Sequence, residues 1–162
     1  MKSSTLATTA LAVAAAAGTG SIAGPRRTPG WFAGLRKPYY QPPAAAFPVV
    51  WTGLYTDLAT TSAVTLDKLR AAGQHDKSRG YATALTVNLV LNAAWSWLFF
   101  RFHQLGAAAF GAAALTASSA DLARRAAAAD PRAGLTLSPY PAWCAFATVL
   151  STHIWRLNRG GQ

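Results

Sequence analysis

WFAGLRKPYYQPPAAAFPVVWTGLY, residues Trp31 to Tyr55, is the stretch on which the fold turns. Pro38, Pro42, Pro43 and Pro48 lie inside it, and Pro29 stands just upstream. They surround a basic pair, Arg36-Lys37, and the tryptophans Trp31 and Trp51. An Ala-rich apolar run precedes this junction and further apolar runs follow it. A soluble domain has no need of a stiff, cationic, aromatic segment placed between runs of that kind.

The composition agrees. The 162 residues suffice for one domain. Hydrophobic residues make up 52% and charged residues 12%, against about 25% charged in ordinary soluble domains. Fifteen Lys and Arg against five acids give a net charge of +10. These cations sit between apolar runs, so they read as flanks meeting anionic lipid headgroups. A nucleic-acid footprint is not expected. Cys144 is the only cysteine, which excludes an internal disulfide and a Cys-rich metal site.

Working outward, the intervals 3–25, 38–56, 80–100, 102–120 and 133–155 contain no Asp, Glu, Lys or Arg. Each is close to the ~20 residues a helix needs to cross the hydrocarbon layer. Backbone groups in lipid must satisfy one another, so such runs are helical. The expected fold is therefore all-α: an integral membrane bundle of five transmembrane helices in a single domain, 1–162. The helices are expected near 5–24, 44–66, 80–100, 105–124 and 139–157, with a Pro- and aromatic-rich lid loop at 25–43. The first run, with Lys2 ahead of it and small residues late, also fits a signal peptide. The membrane-like remainder of the chain favours a retained helix. Eight basic residues against seven on the two sides leave the orientation undecided.

Arg26, Arg27, Arg36 and Lys37 gather at one interface, where Trp31, Tyr39 and Tyr40 suit headgroup depth. Pro38, Pro42 and Pro43 hold the loop extended, Pro43 is placed in the first turn of the second helix, and Pro48 is expected to kink that helix near its start. Asp57 would cost about 3 kcal/mol facing lipid at mid-bilayer, so it is expected near a polar end or against Thr and Ser groups. Residues 67–79 and 125–138 read as polar connectors. Tyr81, Leu85, Asn88, Asn92, Trp95 and Phe99 share one face of the third helix. Its two amides are either interhelical glue, at about 0.6 kcal/mol each, or contacts for a ligand. Gly20 and Gly24, and later Ala107 and Gly111, allow close helix approach.

WFAGLRKPYYQPP at 31–43, FPVVWTGLY at 47–55, NLVLNAAWSWLFF at 88–100 and PYPAWCAFATVLSTHIWRLN at 139–158 together resemble the tryptophan-rich sensory proteins, also called translocator proteins or peripheral-type benzodiazepine receptors. The resemblance implies a five-helix bundle, often a homodimer, with a pocket between the helices capped by the loop after the first. Family members bind porphyrins, notably protoporphyrin; some bind sterols and synthetic drugs. They are linked to tetrapyrrole handling and stress responses, and need no resident cofactor. The matching pocket positions are Trp51 and Tyr55, then Asn88, Asn92 and Trp95, then Trp143 and Ala147, with Ala23 and Phe110 added from the first and fourth helices. The lid positions are Trp31, Arg36, Lys37, Pro38, Tyr39, Pro42 and Pro43. Three departures stand out. Pro25-Arg26-Arg27-Thr28 occupies the region where members commonly carry a glutamate, Asn88 replaces a frequent glutamine, and Thr152 and His153 stand where the sterol-recognition pattern needs an aromatic. The last argues against sterol binding.

The chemistry fits a flat macrocycle. Trp51, Trp95 and Trp143 supply stacking surfaces, Asn88 and Asn92 supply amides, and Arg36 and Lys37 supply cations for propionates. Trp51 is expected to point at Asn92 and Trp143. No nucleophile motif supports a hydrolase, and His75, His103 and His153 lie in different elements, against a metal cluster. Three functions stay open: a porphyrin receptor or transport protein, an enzyme-like degrader of porphyrin using Trp51 and Trp143, and a structural protein with a lipid-filled cavity. The Ala- and Arg-rich composition points to a bacterial plasma membrane, with a mitochondrial outer membrane as the alternative.

Overall fold

Runs that carry no charge but many Leu, Ala and aromatic residues become long helices, and the helices bury their apolar faces on one another. The computed structural model describes residues 1–24 and 29–160. Its elements are α1 Ser3–Ala23, α2 Pro29–Gly34, α3 Ala46–Ala71, α4 His75–Ser96, α5 Leu105–Ala129, α6 Pro131–Leu137 and α7 Pro139–Asn158. A π-helical turn, Trp97–Arg101, prolongs α4. Five helices are long, with 20 to 26 residues, and α2 and α6 are short, with 6 and 7. Three helical stretches are long and apolar enough to cross a membrane: Ser3–Ala23, His75–Arg101 and Leu105–Ala129. Thus three of the five expected spans meet that measure. α3 carries Asp57 among several threonines, and α7 carries Pro139, Pro141 and His153.

The ends of the helices differ from the sequence reading. The stretch 67–79 is mostly helix: α3 runs to Ala71, and α4 already starts at His75. Lys, Arg and Gln are good helix formers once outside lipid, so charge there marks emergence from the membrane rather than the end of the helix. What ends α3 is Gly73, whose φ of +68° is open to glycine, with the Gln74 N–H donating to the Leu69 carbonyl at 2.9 Å. The second expected connector is also helical. Asp130 caps α6 by accepting from the Arg132 N–H at 3.0 Å, and Pro131 occupies its first position.

Two proline expectations are corrected. Pro43 precedes α3 and accepts from the Ala46 N–H at 2.9 Å. Pro48 is the third residue of α3, where its missing N–H costs no helical bond and no kink is needed. The lid is not a plain loop, because α2 lies within it; Arg26 and Arg27 fall outside the described residues.

The five long helices alternate in direction, which leaves a lid end, with 29–45, and a distal end, with α6 and the α3–α4 turn. Most of the core lies toward the distal end: Leu54, Leu58, Leu66, Leu85, Leu122, Leu137 and Tyr140 are buried together. α1 joins it through Val13 and through Thr9, whose hydroxyl donates to the Ala59 carbonyl at 2.8 Å. At Gly20 a Cβ would stand 3.0 Å from Ser96 Oγ, so that glycine serves packing of α1 on α4 within the chain. A second cluster at the lid end holds Phe99, Leu105, Ala108, Leu150 and Ile154 beneath Trp31, Phe32 and Trp95.

Candidate functional site

Between these two clusters lies a small cavity lined by Trp51 of α3, Trp95 of α4, Ala112 and Leu115 of α5, and Cys144 and Ala147 of α7. Its walls are apolar and it encloses about 10 Å³, room for about one water. Trp95 stacks on Phe99 with centroids 5.3 Å apart, and Trp51 leans on Tyr55 at 5.2 Å and meets the edge of Tyr140 at 6.4 Å. The Trp95 Nε1–H is buried and has no acceptor among the described residues. An indole nitrogen can only donate, so Trp95 keeps an unspent buried donor.

The polar face of α4 lies behind this wall. The Tyr55 hydroxyl donates to Asn92 Oδ1 at 2.7 Å, and Asn92 Nδ2 donates to the Tyr140 oxygen at 3.3 Å. Tyr140 in turn donates to Asn88 Oδ1 at 2.7 Å, and Asn88 Nδ2 donates to Ser118 at 3.3 Å. Both amides are thus spent on a buried relay that ties α3, α4, α7 and α5, and Tyr140, fully buried, is its hub. The interhelical reading of the amides holds in this conformation. Tyr55 and Tyr140 link the amides to Trp51.

The lid closes the other side. Trp31 stacks on His103 at 3.9 Å and 17°, and Phe32 packs edge-on against Phe99 and Phe100. The Tyr40 hydroxyl meets His153 Nδ1 at 3.0 Å. A two-way latch fixes the loop to the end of α7: the Arg36 N–H donates to Asn158 Oδ1 at 3.0 Å, and Asn158 Nδ2 donates to the Arg36 carbonyl at 2.9 Å. Lys37 lies over the Phe32 ring at 4.6 Å and donates to the Ala33 carbonyl at 3.3 Å, so its charge is used within the lid, whereas the Arg36 side chain is exposed. Pro38 is buried and Pro42 half-buried, while Tyr39 is 99% exposed and Pro43 is exposed.

Trp51, Trp95 and Ala147 therefore meet at one cavity, and Tyr55, Asn88 and Asn92 support it from behind. Trp143 does not line it. Its ring packs against Phe47 and Phe146 at 6.0 and 5.3 Å, carrying an aromatic wall toward the lid. Ala23 is buried at the lid end of α1. Phe110 is 72% exposed and touches Trp155 at 6.3 Å on the outside of the bundle. Asp57 is half-buried and accepts from Thr61 at 2.7 Å, in keeping with its expected hydroxyl neighbours. Sequence reasoning missed Tyr140, Asn158 and the place of Cys144 in the cavity wall. The amide pair was the available signal for Tyr140, since two buried amides require hydroxyl or amide partners. Among the described residues no three His, Cys, Asp or Glu side chains gather into a metal site.

The distal end is a different environment. Lys68 pairs with Asp130, Arg124 and Arg125 pair with Asp121 at 2.6 and 2.5 Å, and Asp67 accepts from Thr5 at 2.7 Å and from the Lys2 N–H. The Lys68 ammonium and the Arg132 N–H hold the Asp130 carboxyl below the ordinary carboxylate range.

Known proteins share this pattern. The TspO/MBR family profile matches residues 8–156. The human translocator protein is 33% identical over 130 residues, covering 80% of this chain and 76% of that protein. The CrtK protein of Rhodobacter capsulatus is 30% identical over 153 residues, covering 93% and 90%. The tryptophan-rich sensory protein of Cereibacter sphaeroides is 30% identical over 148 residues, covering 91% and 87%.

Proposed function

The chain is a membrane protein of the TspO/MBR family, and on that premise we propose that it binds porphyrins, protoporphyrin-like tetrapyrroles, between α3, α4, α5 and α7 under the 29–45 segment. The observation that carries this reading is that Trp51, Trp95 and Ala147, three positions marked by the motif resemblance, meet at one apolar cavity, and the buried Trp95 N–H is left without a partner among the described residues. A macrocycle stacks on Trp51 and Trp95, and the aromatic wall of Phe47, Trp143 and Phe146 extends the contact toward the lid. The Arg36 guanidinium takes a propionate at the rim, since Lys37 is already engaged.

The cavity in this conformation is far below the ~300–1,000 Å³ of a ligand pocket, so binding proceeds by parting the lid and the ring pairs. The π-helical turn directly after Trp95 and Ser96 supports such movement, because π-turns interrupt the regular α ladder and recur at functional sites. In this reading all five long helices span the bilayer, the chain sits in a bacterial plasma membrane as a homodimer, and it serves as a receptor or transport-type protein in tetrapyrrole handling and stress response.

Titrating the protein in lipid nanodiscs with protoporphyrin, in light and in dark, tests this. Saturable quenching of tryptophan fluorescence, weakened in Trp51→Phe and Trp95→Phe, with the porphyrin spectrum intact, is the expected result. New absorbing products that disappear in Trp51→Phe and Trp143→Phe would replace binding with porphyrin degradation. Absence of saturable quenching leaves a structural protein with a lipid-filled cavity.

A further inference from the structure

All five acidic side chains, Asp57, Asp67, Asp76, Asp121 and Asp130, lie in the middle or distal part of the bundle. The lid end has no acidic side chain, yet carries Arg36, Lys37, Arg101, Arg156 and Arg159 among the described residues. A simple count of basic residues hides this, because the two ends carry nearly equal numbers of cations. At the distal end, by contrast, Asp67, Asp76, Asp121 and Asp130 all engage nearby cations or backbone N–H groups.

The four described arginines at the lid end are exposed, and exposed apolar groups are interleaved with them. Phe102, 56% exposed, follows Arg101, and Leu157 stands between Arg156 and the Arg159 region. Tyr39 projects from the lid three residues after Arg36. Arg159 lies over the Trp155 ring at 4.7 Å, and Trp155 touches the outward Phe110. A tryptophan at the rim of an apolar helix marks headgroup depth, so the guanidinium above it stands among phosphates. Cations alternating with apolar side chains suit a lipid interface, where both are satisfied. A nucleic acid or an acidic protein would match the charge and leave the apolar groups unmatched. Helix-dipole compensation accounts for Arg101 and Arg156, which lie in last turns. It does not account for Arg36 in the lid or for Arg159 beyond α7.

We propose that the lid end is a binding surface for anionic phospholipid headgroups, with Arg36, Arg101, Arg156 and Arg159 taking the phosphates and Tyr39, Phe102 and Leu157 entering the acyl boundary. The latch at Asn158 places Arg36 beside the end of α7, so lid and helix contribute to one surface. Arg36 is shared with the porphyrin rim proposed above, whereas Arg101, Arg156 and Arg159 have no part in that site, so their share of the surface does not depend on what occupies the internal cavity.

The test uses the full chain in a neutral detergent, mixed with dansyl-labelled phosphatidylglycerol or phosphatidylcholine, and reads energy transfer from tryptophan to dansyl. Phosphatidylglycerol is expected to half-saturate at the lower concentration. About 1 M salt, where screening shortens to about 3 Å, should erase that advantage in the unaltered protein. Each of Arg36→Gln, Arg101→Gln, Arg156→Gln and Arg159→Gln should cost about fivefold in phosphatidylglycerol affinity. A distal control, Lys77→Gln with Arg79→Gln, should leave the preference in place. The proposal is overturned by equal affinity for the two lipids in the unaltered chain. It is equally overturned if the preference persists in all four arginine variants, if the distal control loses it, or if inorganic phosphate competes as well as the lipid. Helical circular dichroism verifies the fold of each variant.

Discussion

The two ends of the bundle solve the same problem in opposite ways. The distal end turns its chain in short helical connections, caps α6 with Asp130 and matches aspartates to cations. The lid end carries the chain through a longer segment that, among the described residues, is held by a latch, a tyrosine–histidine bond and ring contacts. Close backbone packing makes the distal end a fixed floor, whereas the lid end is fastened by side chains that can let go. The candidate cavity lies between the two, with the polar relay of Tyr55, Asn92, Tyr140, Asn88 and Ser118 behind its wall.

The contrast breaks most visibly at glycine. A Cβ at Gly134 would fall 2.3 Å from Ala127 Cβ and 2.7 Å from Ala127 Cα, whereas at Gly34 in the lid it would meet nothing within 4 Å. Gly134→Ala is expected to destabilise by about 3 kcal/mol, the upper part of the range for overpacking. Gly34→Ala should leave thermal unfolding in micelles nearly unchanged. Equal melting temperatures for the two variants would erase the distinction between floor and lid.

Tyr140→Phe is next in size. It keeps the ring against Trp51 but deprives Asn88 and Asn92 of a buried partner. The expected loss is about 2 kcal/mol, read from denaturant unfolding, the scale of a buried polar group left unpaired. A loss near zero would mean that the relay is dispensable.

Asn158→Leu removes both bonds of the latch. Hydrogen exchange at the Arg36 amide should accelerate about tenfold, while amides of α5 keep their protection. A uniform acceleration would mean that the latch serves the whole bundle.

The smallest effect is that of pH on the floor. Asp130 is held below its ordinary carboxylate range by Lys68 and the Arg132 N–H. Its stabilising share is therefore present above about pH 4, the value for the unfolded carboxyl, and is lost as pH falls through the lower folded value. Asp130→Asn should flatten that part of an acid titration of stability, and an unchanged titration would remove the ion pair from the account.

The helical architecture was legible because intervals free of charge stand out against a chain with so few acids. The ends of helices were less so: Lys68 and Arg70 read as loop, yet both suit a helix that has left the membrane, and only Gly73 forces the turn. The face Tyr81, Leu85, Asn88, Asn92 and Phe99 was readable from spacing and is buried. Trp51, Trp95 and Ala147 were placed from motif resemblance, and they share a cavity. Phe110 was harder, since in a helix of alanines almost any face can be the inner one, and it lies outside. Tyr140 escaped notice because nothing in a linear sequence says that the start of one helix lies level with the middle of another. The latch escaped for the same reason, as Arg36 and Asn158 are 122 residues apart.

The near absence of free volume between Trp51 and Trp95 has a thermodynamic consequence. If the conformation that admits a macrocycle is a minor one, the measured dissociation constant is the intrinsic one divided by the open fraction. An open population of about 1% would weaken apparent binding about 100-fold without altering a single contact. Affinity would then report the equilibrium of the lid as much as the chemistry of the walls. Loosening Asn158, which does not line the cavity, would tighten apparent binding by enlarging the receptive population.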